Sequence, residues 1–357
     1  MSNASESASA VIRADLQRLV DDALDRQFAL WPDMKESFSF EQLRHMRDDT
    51  RFHLEFIESA LWFEEPALLD DYAVWCKTLF ENLDLPLEWI EGSLRCVAET
   101  LDAALPVPQA EVARSYVENA VDKLHSASTE TSSFILPGTP LGDLSERYLN
   151  TVLTGRRFDA IRMLRDAVDA GASVRDIYLD VLQPAQREIG RLWLVNELSV
   201  AQEHRVSSVT QVAMAQICER GFTGQRSDRI LVVACVGTEL HELGARMVAD
   251  LFELDGWTTY YLGANTPRTA VVEAVRECSA DALALSATLS STVGEIAEVI
   301  QEIRADETLA GTKVLVGGYP FNVAPSLWRH VGADGHAPDA ETATHVGAQL
   351  VAGLGQG

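Results

Sequence analysis

The residue types best suited to binding chemistry stand close together in GTELHELG, residues 237–244. Here Glu239 precedes His241 by two positions, with Leu240 between them, and Gly244 follows three positions after the histidine. An imidazole can ligate a metal or exchange a proton, and a glycine allows a ligand or a second backbone to approach closely. The segment therefore predicts a ligand-binding loop in which His241 faces a crevice.

Two later segments carry hydroxyl groups and glycines at the ends of predicted strands. ALSATLSS places Ser286 and Thr288 just past one strand, VGGYP places Gly317 and Gly318 at the end of the next, and GADGHAPDA, with Gly335, follows. Ligands of open α/β sheets bind beyond the carboxyl ends of the strands, so these loops are expected to meet the histidine loop. Singly, such pieces also mark exposed loops and strand ends. In this order within one domain they form a specific set.

The elements that carry these loops follow a strand–helix alternation. RILVVACV is a short, continuous apolar run, which is typical of a buried parallel strand. Helical stretches then alternate with WTTYYLG, DALALSAT and TKVLVGGYP. We predict a Rossmann-like α/β domain with a parallel sheet over residues 228–357.

This set of motifs resembles the cobalamin-binding domain of the methionine synthase, mutase and corrinoid-protein superfamily. The family pattern reads here as Glu239-x-His241-x-x-Gly244, Ser286-x-Thr288 and Gly317-Gly318. The resemblance implies a base-off cobalamin whose nucleotide tail lies in a channel where glycines make room. It also implies that His241 is the lower axial cobalt ligand and that Glu239 holds its other nitrogen. We count Leu240 and Gly335 among the expected cofactor contacts.

A helical segment before this domain carries a second pattern. Residues 143–224 predict a four-helix bundle, and within it Trp193, Val200, Glu203 and His204 form a W-x9-EH motif. The motif resembles the bundle that caps cobalamin in light-sensing regulators of the CarH and LitR type. The resemblance implies that these four residues pack over the 5′-deoxyadenosyl group of adenosylcobalamin. Taken alone, the pattern also fits an amphipathic helix with a core tryptophan and a surface Glu-His pair.

Two features depart from those light-sensing relatives. Leu194 stands where they have a histidine that ligates cobalt after illumination, so His204 or water is left for that role. They also begin with a basic DNA-binding domain, whereas this chain has 29 Lys and Arg against 54 Asp and Glu and a net charge of −25. Phosphate backbones and anionic membranes repel such a chain, so nucleic acid and membrane partners are excluded.

The N-terminal part reads as helix after helix. We predict a disordered tail over residues 1–10, an all-α domain over 11–125 and a Ser/Thr/Pro/Gly-rich linker over 126–142. The all-α domain is rich in aromatic residues, and it places His45 and His53 within about 80° of one helix face. Core packing explains these residues on pattern alone.

As a whole, this arrangement resembles the photocobilins, in which a globin- or phycobiliprotein-like helical domain binds biliverdin beside a B12 module. That resemblance implies biliverdin as a second chromophore of the all-α domain. Cys76 and Cys96 are the candidates for covalent attachment of a bilin. A haem pocket, or no ligand in this domain, is left open by the residues themselves.

These observations predict a B12-dependent photoreceptor without enzymatic activity. Light would cleave the Co–C bond of adenosylcobalamin, shift the bundle, and change a homo-oligomer, with a dimer favoured, or the binding of a regulatory or enzyme partner. The alternative is a corrinoid methyl-carrier protein of a cobalamin-dependent methyltransferase system. The five cysteines without a CxxC motif, the polar start and the lack of a long apolar run predict a cytoplasmic protein.

Overall fold

The computed structural model describes residues 3–222, 224 and 226–353. The chain divides into two units, one of residues 1–130 with 323–327 and one of residues 131–322 with 328–357. None of the described helices is long and apolar enough to span a membrane.

The first unit is built from helices and contains no strand within its described residues. They are α1 (Asn3–Ala14), α2 (Leu16–Leu30), α3 (Pro32–Ser37), α4 (Phe40–Phe63), α5 (Pro66–Asn82), α6 (Leu87–Ala104) and α7 (Val107–Ser126). Proline begins α3 and α5 at the first helical position, where its missing N–H costs no helical hydrogen bond. The N-terminal region is therefore helical, as predicted.

The expected disordered tail differs from the structure, because α1 begins at Asn3. Ser5, Ala8, Ser9 and Ile12 recur at helical spacing and are all at most 3% exposed. Three of the four, Ser5, Ala8 and Ser9, have small side chains, and α1 packs against α4. The Ser/Ala-rich composition that suggested disorder thus provides a buried helix face.

The second unit begins with a group of helices that corresponds to the predicted bundle. They are α8 (Pro140–Leu153), α9 (Arg157–Asp169), α10 (Val174–Asp176), a π-helical segment (Ile177–Leu182), α11 (Gln183–Leu194) and α12 (Val200–Gly221). The π-helical segment joins α10 and α11 into one continuous helix, and the buried side chains of Tyr148 and Tyr178 lie in the core. Capping boxes at Ser39 and Ser199 fix the first turns of α4 and α12.

The segment between α7 and α8 lies without helix or strand, where the linker was expected. It is held against the helical group, because the Phe134 N–H donates to the buried Glu188 carboxylate at 2.9 Å. Ile135 lies in the same hydrophobic core as Tyr148. Its composition therefore indicated the irregular backbone but gave no sign of this attachment.

From residue 230 onward, the chain forms a five-stranded parallel sheet with helices on its faces, and within this part residues 323–327 are grouped with the first unit. The strands are β1 (Ile230–Val236), β2 (Thr258–Thr266), β3 (Ala282–Ala287), β4 (Lys313–Gly318) and β5 (Gly335–Ala337). The helices are α13 (Leu243–Leu254), α14 (Arg268–Glu277), α15 (Val293–Ala305), α16 (Tyr319–Val323), α17 (Leu327–His330) and α18 (Ala340–Ala352). The strand order β2-β1-β3-β4-β5 makes this a Rossmann-like domain, with its switch point between β1 and β3.

The Gly317–Gly318 pair is required by the backbone of the sheet itself. A Cβ on Gly318 would lie 1.9 Å from the Ala287 carbonyl oxygen, and the residue has φ +101°. A Cβ on Gly317 would lie 2.9 Å from the Ala337 carbonyl oxygen. The expectation that these glycines make room for a ligand is therefore incomplete, because neighbouring strands already occupy that space.

We expect Gly318→Ala to lower the free energy of unfolding by about 3 kcal/mol or more, since a strained φ and an overpacked contact each cost roughly 1–3 kcal/mol. Gly155→Ala is the matched control, because Gly155 has φ +82° but open space around its Cβ position. It should show only the backbone strain, about 1 kcal/mol. Urea denaturation of both variants measures the difference, and equal losses would contradict the steric argument.

Candidate functional site

His241 and Glu239 form a hydrogen-bonded pair in the loop between β1 and α13. His241 Nδ1 donates to Glu239 Oε1 at 2.6 Å, and the His241 backbone N–H donates to the same oxygen at 2.9 Å. The Glu239 side chain is 1% exposed, whereas that of His241 is 58% exposed. The carboxylate thus fixes the ring and its tautomer, which leaves Nε2 as the nitrogen that can ligate a metal.

The second carboxylate oxygen of Glu239 connects this loop to the loop after β3. Glu239 Oε2 accepts from the Thr288 N–H at 2.6 Å, the Leu289 N–H at 3.3 Å and the Thr292 hydroxyl at 3.4 Å. β1 and β3 are neighbours in the sheet, so their carboxyl ends flank the switch point. One buried side chain therefore joins the two loops that sequence reasoning had placed at the crevice.

The interaction between Glu239 and His241 shifts the pKa of each residue so that its charged form is favoured. Burial alone would raise the pKa of Glu239, but the hydrogen bonds from His241 and from the Thr288 N–H outweigh it and lower that pKa. The hydrogen bond to Glu239 raises the pKa of His241 against the opposing effect of burial. The Glu203 carboxylate of α12 raises the pKa of His241 further, so the cap motif lies near enough to act on it electrostatically.

The other predicted residues of the α/β domain have separate roles. Ser286 is half-buried and pairs with Gly317 in the β3–β4 register, so it lies one residue before the end of β3. Nothing lies within 4 Å of a Cβ built on Gly244, which leaves open space beside the first turn of α13. At Gly335 a Cβ would lie 3.0 Å from Leu350 and 3.1 Å from Val346. Gly335 therefore serves the packing of α18 against β5.

The W-x9-EH residues lie on two successive helices, near the end of the first and the beginning of the second. Trp193 lies in the last turn of α11, and Val200, Glu203 and His204 lie in the first turn or two of α12. Val200 is 52% exposed, and Leu240, the neighbour of His241 in sequence, is 68% exposed. His204 is exposed, and its Nδ1 hydrogen-bonds the Glu203 carboxylate. The motif thus presents apolar and charged groups to solvent at this end of the helical group.

Contacts between the helical group and the α/β domain were not predicted. Gln211 Nε2 of α12 donates to Glu242 Oε1 at 2.6 Å, next to His241 in sequence. Glu242 Oε2 accepts from the Tyr261 hydroxyl at 2.9 Å and from the Ala264 N–H at 3.0 Å. This carboxylate therefore ties α12 to the start of α13 and to β2. Only its position inside the E-x-H-x-x-G segment could have singled it out.

A second, buried contact supports the same packing. The Tyr178 hydroxyl, in the π-helical segment, donates to Asp250 Oδ2 of α13 at 2.7 Å. Arg246 Nε donates to Asp250 Oδ1 at 2.8 Å, so both carboxylate oxygens are satisfied. π-Helical turns frequently occur at functional positions, and this one supplies the hydroxyl that joins the helical group to α13. Nothing in the sequence periodicity distinguished Tyr178 from an ordinary core residue.

The helical N-terminal unit does not bring its candidate ligands together. His53 is 5% exposed and its Nδ1 lies 2.9 Å from the Tyr72 hydroxyl, whereas His45 is exposed. Burial raises the pKa of Cys76 to about 12 and that of Cys96 to about 11, which disfavours thiolate chemistry with a bilin. Both histidines lie on α4 as predicted, but His53 is part of the core whereas His45 is exposed.

Two segments of the chain match known families. Residues 229–345 match the family model of the B12 binding domain, and residues 144–217 match a second B12 binding domain model. Neither match includes the N-terminal helices. Within the described residues, no group of three or more His, Cys, Asp or Glu side chains is placed to hold a metal ion.

Several proteins similar to this chain are named corrinoid proteins. A corrinoid protein of Desulfitobacterium hafniense is 22% identical over 213 residues, which are 58% of this chain and 97% of that protein. Monomethylamine corrinoid protein 2 of Methanosarcina acetivorans is 21% identical over 58% of this chain and 98% of its own length. The solved monomethylamine corrinoid protein of Methanosarcina barkeri, 17% identical, has a TM-score of 0.53 over 58% of this chain and 98% of that one, and shows the same fold. Together these matches support a cobalamin-binding family for this chain, with its B12 binding domain at residues 229–345.

Proposed function

We propose that this chain is a corrinoid protein of a cobalamin-dependent methyltransferase system. The observation that supports the proposal is the hydrogen bond between the buried Glu239 and the exposed His241. This pair lies at the carboxyl ends of β1 and β3, where Glu239 also binds the Thr288 N–H. The relatives named above are corrinoid proteins, so they favour this prediction over the light-sensing one.

The residues present fit a cobalamin. The exposed His241 imidazole has its Nδ1 hydrogen-bonded to a buried carboxylate, so its Nε2 is a donor that could hold the cobalt of a cobalamin. The open space beside Gly244, at the start of α13, leaves room for part of the cofactor next to the sheet. When bound, a corrinoid would supply a metal centre able to carry methyl groups between partner enzymes.

The chain's own residues then divide into binding and covering roles. His241 would hold the metal, Glu239 would keep the imidazole oriented, and Ser286 would face the cofactor beside β4. Val200 and Glu203 would cover the opposite side from α12. We further propose that the chain binds a methyltransferase partner and forms a homo-oligomer. Whether the bound cofactor is adenosylcobalamin or a methyl form is a question for experiment.

A second candidate is the light-sensing reading, which one observation favours. Trp193 lies near the end of α11, and Val200, Glu203 and His204 lie near the beginning of α12, and these are the residues that resemble that family's cap. In this role the bundle would bind the adenosyl form and respond to its loss in light. The light-sensing function could also include a biliverdin site in the N-terminal unit. The burial of His53 and Cys76 disfavours such a site.

One experiment separates the two candidates. The full chain is loaded with hydroxocobalamin, reduced, and exposed to methyl iodide and then to a thiol acceptor, and separately loaded with adenosylcobalamin and kept dark or illuminated. We expect reversible methyl-dependent changes in the absorption spectrum and no light-dependent change in size-exclusion elution. A light-driven shift in elution without methyl turnover would overturn the methyl-carrier proposal and support the light-sensing one.

A further inference from the structure

The Glu203 carboxylate is held by two side chains, His204 inside its sequence motif and Ser207 outside it. The Ser207 hydroxyl, one helical turn along α12, donates to Glu203 Oε1 at 2.6 Å. Its other oxygen is bound by His204 Nδ1. The Glu203 side chain is 28% exposed, so it is partly shielded while one edge faces solvent. Both oxygens are therefore engaged before any ligand arrives.

Ser207 is the last member of a hydrogen-bonded chain that begins in the core of the helical group. The Tyr148 hydroxyl lies 2.8 Å from Thr210 Oγ1, and both side chains are completely buried. The Gln186 amide lies 2.7 Å from Thr210 Oγ1 and 3.2 Å from Ser207 Oγ. Three helices, α8, α11 and α12, thus contribute to one continuous line of polar groups.

The Ser207 hydroxyl is the member of this chain that contacts Glu203. Ser207 has one hydroxyl proton, which it donates in a hydrogen bond to the Glu203 carboxylate at 2.6 Å. Gln186 Nε2 donates to Thr210 Oγ1, and Gln186 Oε1 lies 3.2 Å from Ser207 Oγ, so the Ser207 hydroxyl lies between this amide and the Glu203 carboxylate.

The carboxylate lies on the face of α12 that is directed toward the α/β domain. Residues 203, 207 and 211 follow one another at four-residue spacing, which places them on one side of the helix. Gln211 on that side binds Glu242, the neighbour of His241. Glu203 is about 12 Å farther toward the beginning of α12. It therefore stands at the cap end of the crevice whose other wall carries His241.

We propose that Tyr148, Thr210, Gln186 and Ser207 are positioning residues that hold Glu203 as a fixed anion on the cap side of the crevice. The fixed charge makes the site selective, because it repels anionic ligands from the upper face and admits neutral or cationic ones. This inference rests on the proposed function, since it requires a cobalamin between α12 and His241. It adds a ligand class for the upper face and residues outside the known motifs.

The test measures ligand binding to the full chain loaded with hydroxocobalamin. Azide, an anion, and imidazole, a mainly neutral base at pH 7.5, are titrated separately, and their affinities are read from the absorption spectrum. We expect Glu203→Gln to raise the azide affinity about tenfold and to leave the imidazole affinity unchanged. Glu219→Gln is the matched control, because it removes the same charge from an exposed position farther along α12.

The positioning role is tested by variants of Ser207. Ser207→Ala should raise the azide affinity about threefold, because the carboxylate loses its fixed place, and Ser207→Thr should restore the original value through its hydroxyl. An azide-to-imidazole ratio that is the same in Glu203→Gln and Glu219→Gln would overturn the inference, as would equal ratios for Ser207→Ala and Ser207→Thr. A chain that does not retain hydroxocobalamin at all would overturn the proposed function and this inference together.

Discussion

His241→Ala is expected to weaken cobalamin binding by roughly 100-fold or more, because loss of an outer-shell partner alone typically costs about 10–100-fold. The variant should stay folded, since the imidazole is 58% exposed and its side-chain hydrogen bond is to Glu239. Equilibrium dialysis with hydroxocobalamin measures the affinity, and circular dichroism confirms the fold.

His204→Ala is the control for this prediction, because it removes a second exposed imidazole from the same end of the helical group. It should leave the lower nitrogen ligand intact. Addition of free imidazole to His241→Ala should restore a nitrogen-ligated absorption spectrum. If the His241 variant binds cobalamin as tightly as the unmodified chain, the assignment of His241 as the ligand is wrong.

Glu239→Gln is the second change with a large expected effect. The two carboxylate oxygens accept from His241 on one side and from Thr288 and Leu289 on the other. An amide offers only one acceptor, so its NH₂ group must face an N–H donor in a buried place. We expect the free energy of unfolding to fall by about 2–3 kcal/mol, and cobalamin affinity to fall by roughly 10–100-fold.

Glu273→Gln is a matched control on the exposed face of α14 and should change neither quantity. Because the folded pKa of Glu239 lies below its ordinary value, its stabilisation is complete at neutral pH and is lost as the pH falls through that pKa. Urea denaturation at neutral and acid pH tests both statements. An affinity for cobalamin that Glu239→Gln leaves unchanged would contradict the proposed orientation of His241.

The α/β domain could be predicted from sequence because its signals are local. The run in β1 is apolar throughout, and the structure buries every residue of the strand except Ile230, which is half-buried. The loops after β1 and β3 could also be brought together, since parallel strands place their carboxyl ends at one edge. The hydrogen bonds of Glu239 to the loop after β3 could not be predicted, because Thr288 and Leu289 contribute only backbone N–H groups to them.

The helical parts were harder to predict in detail. Ser5 and Ser9 in α1 look like a polar tail until a partner helix buries them, and that partner is distant in sequence. Likewise, Gln211, Tyr178 and Ser207 become informative only when packing brings Glu242, Asp250 and Glu203 to them. Periodicity identifies which face of a helix is buried but does not identify what covers it.

The most direct test of the central claim is electron paramagnetic resonance of the full chain loaded with cobalamin and reduced to Co(II). If His241 ligates cobalt, each cobalt line is split into three by one ¹⁴N nucleus, and into two when the protein's histidines carry ¹⁵N. We expect this change of splitting in the unmodified chain and its absence in His241→Ala. Splitting that is insensitive to ¹⁵N-histidine, or that persists in His241→Ala, would contradict it.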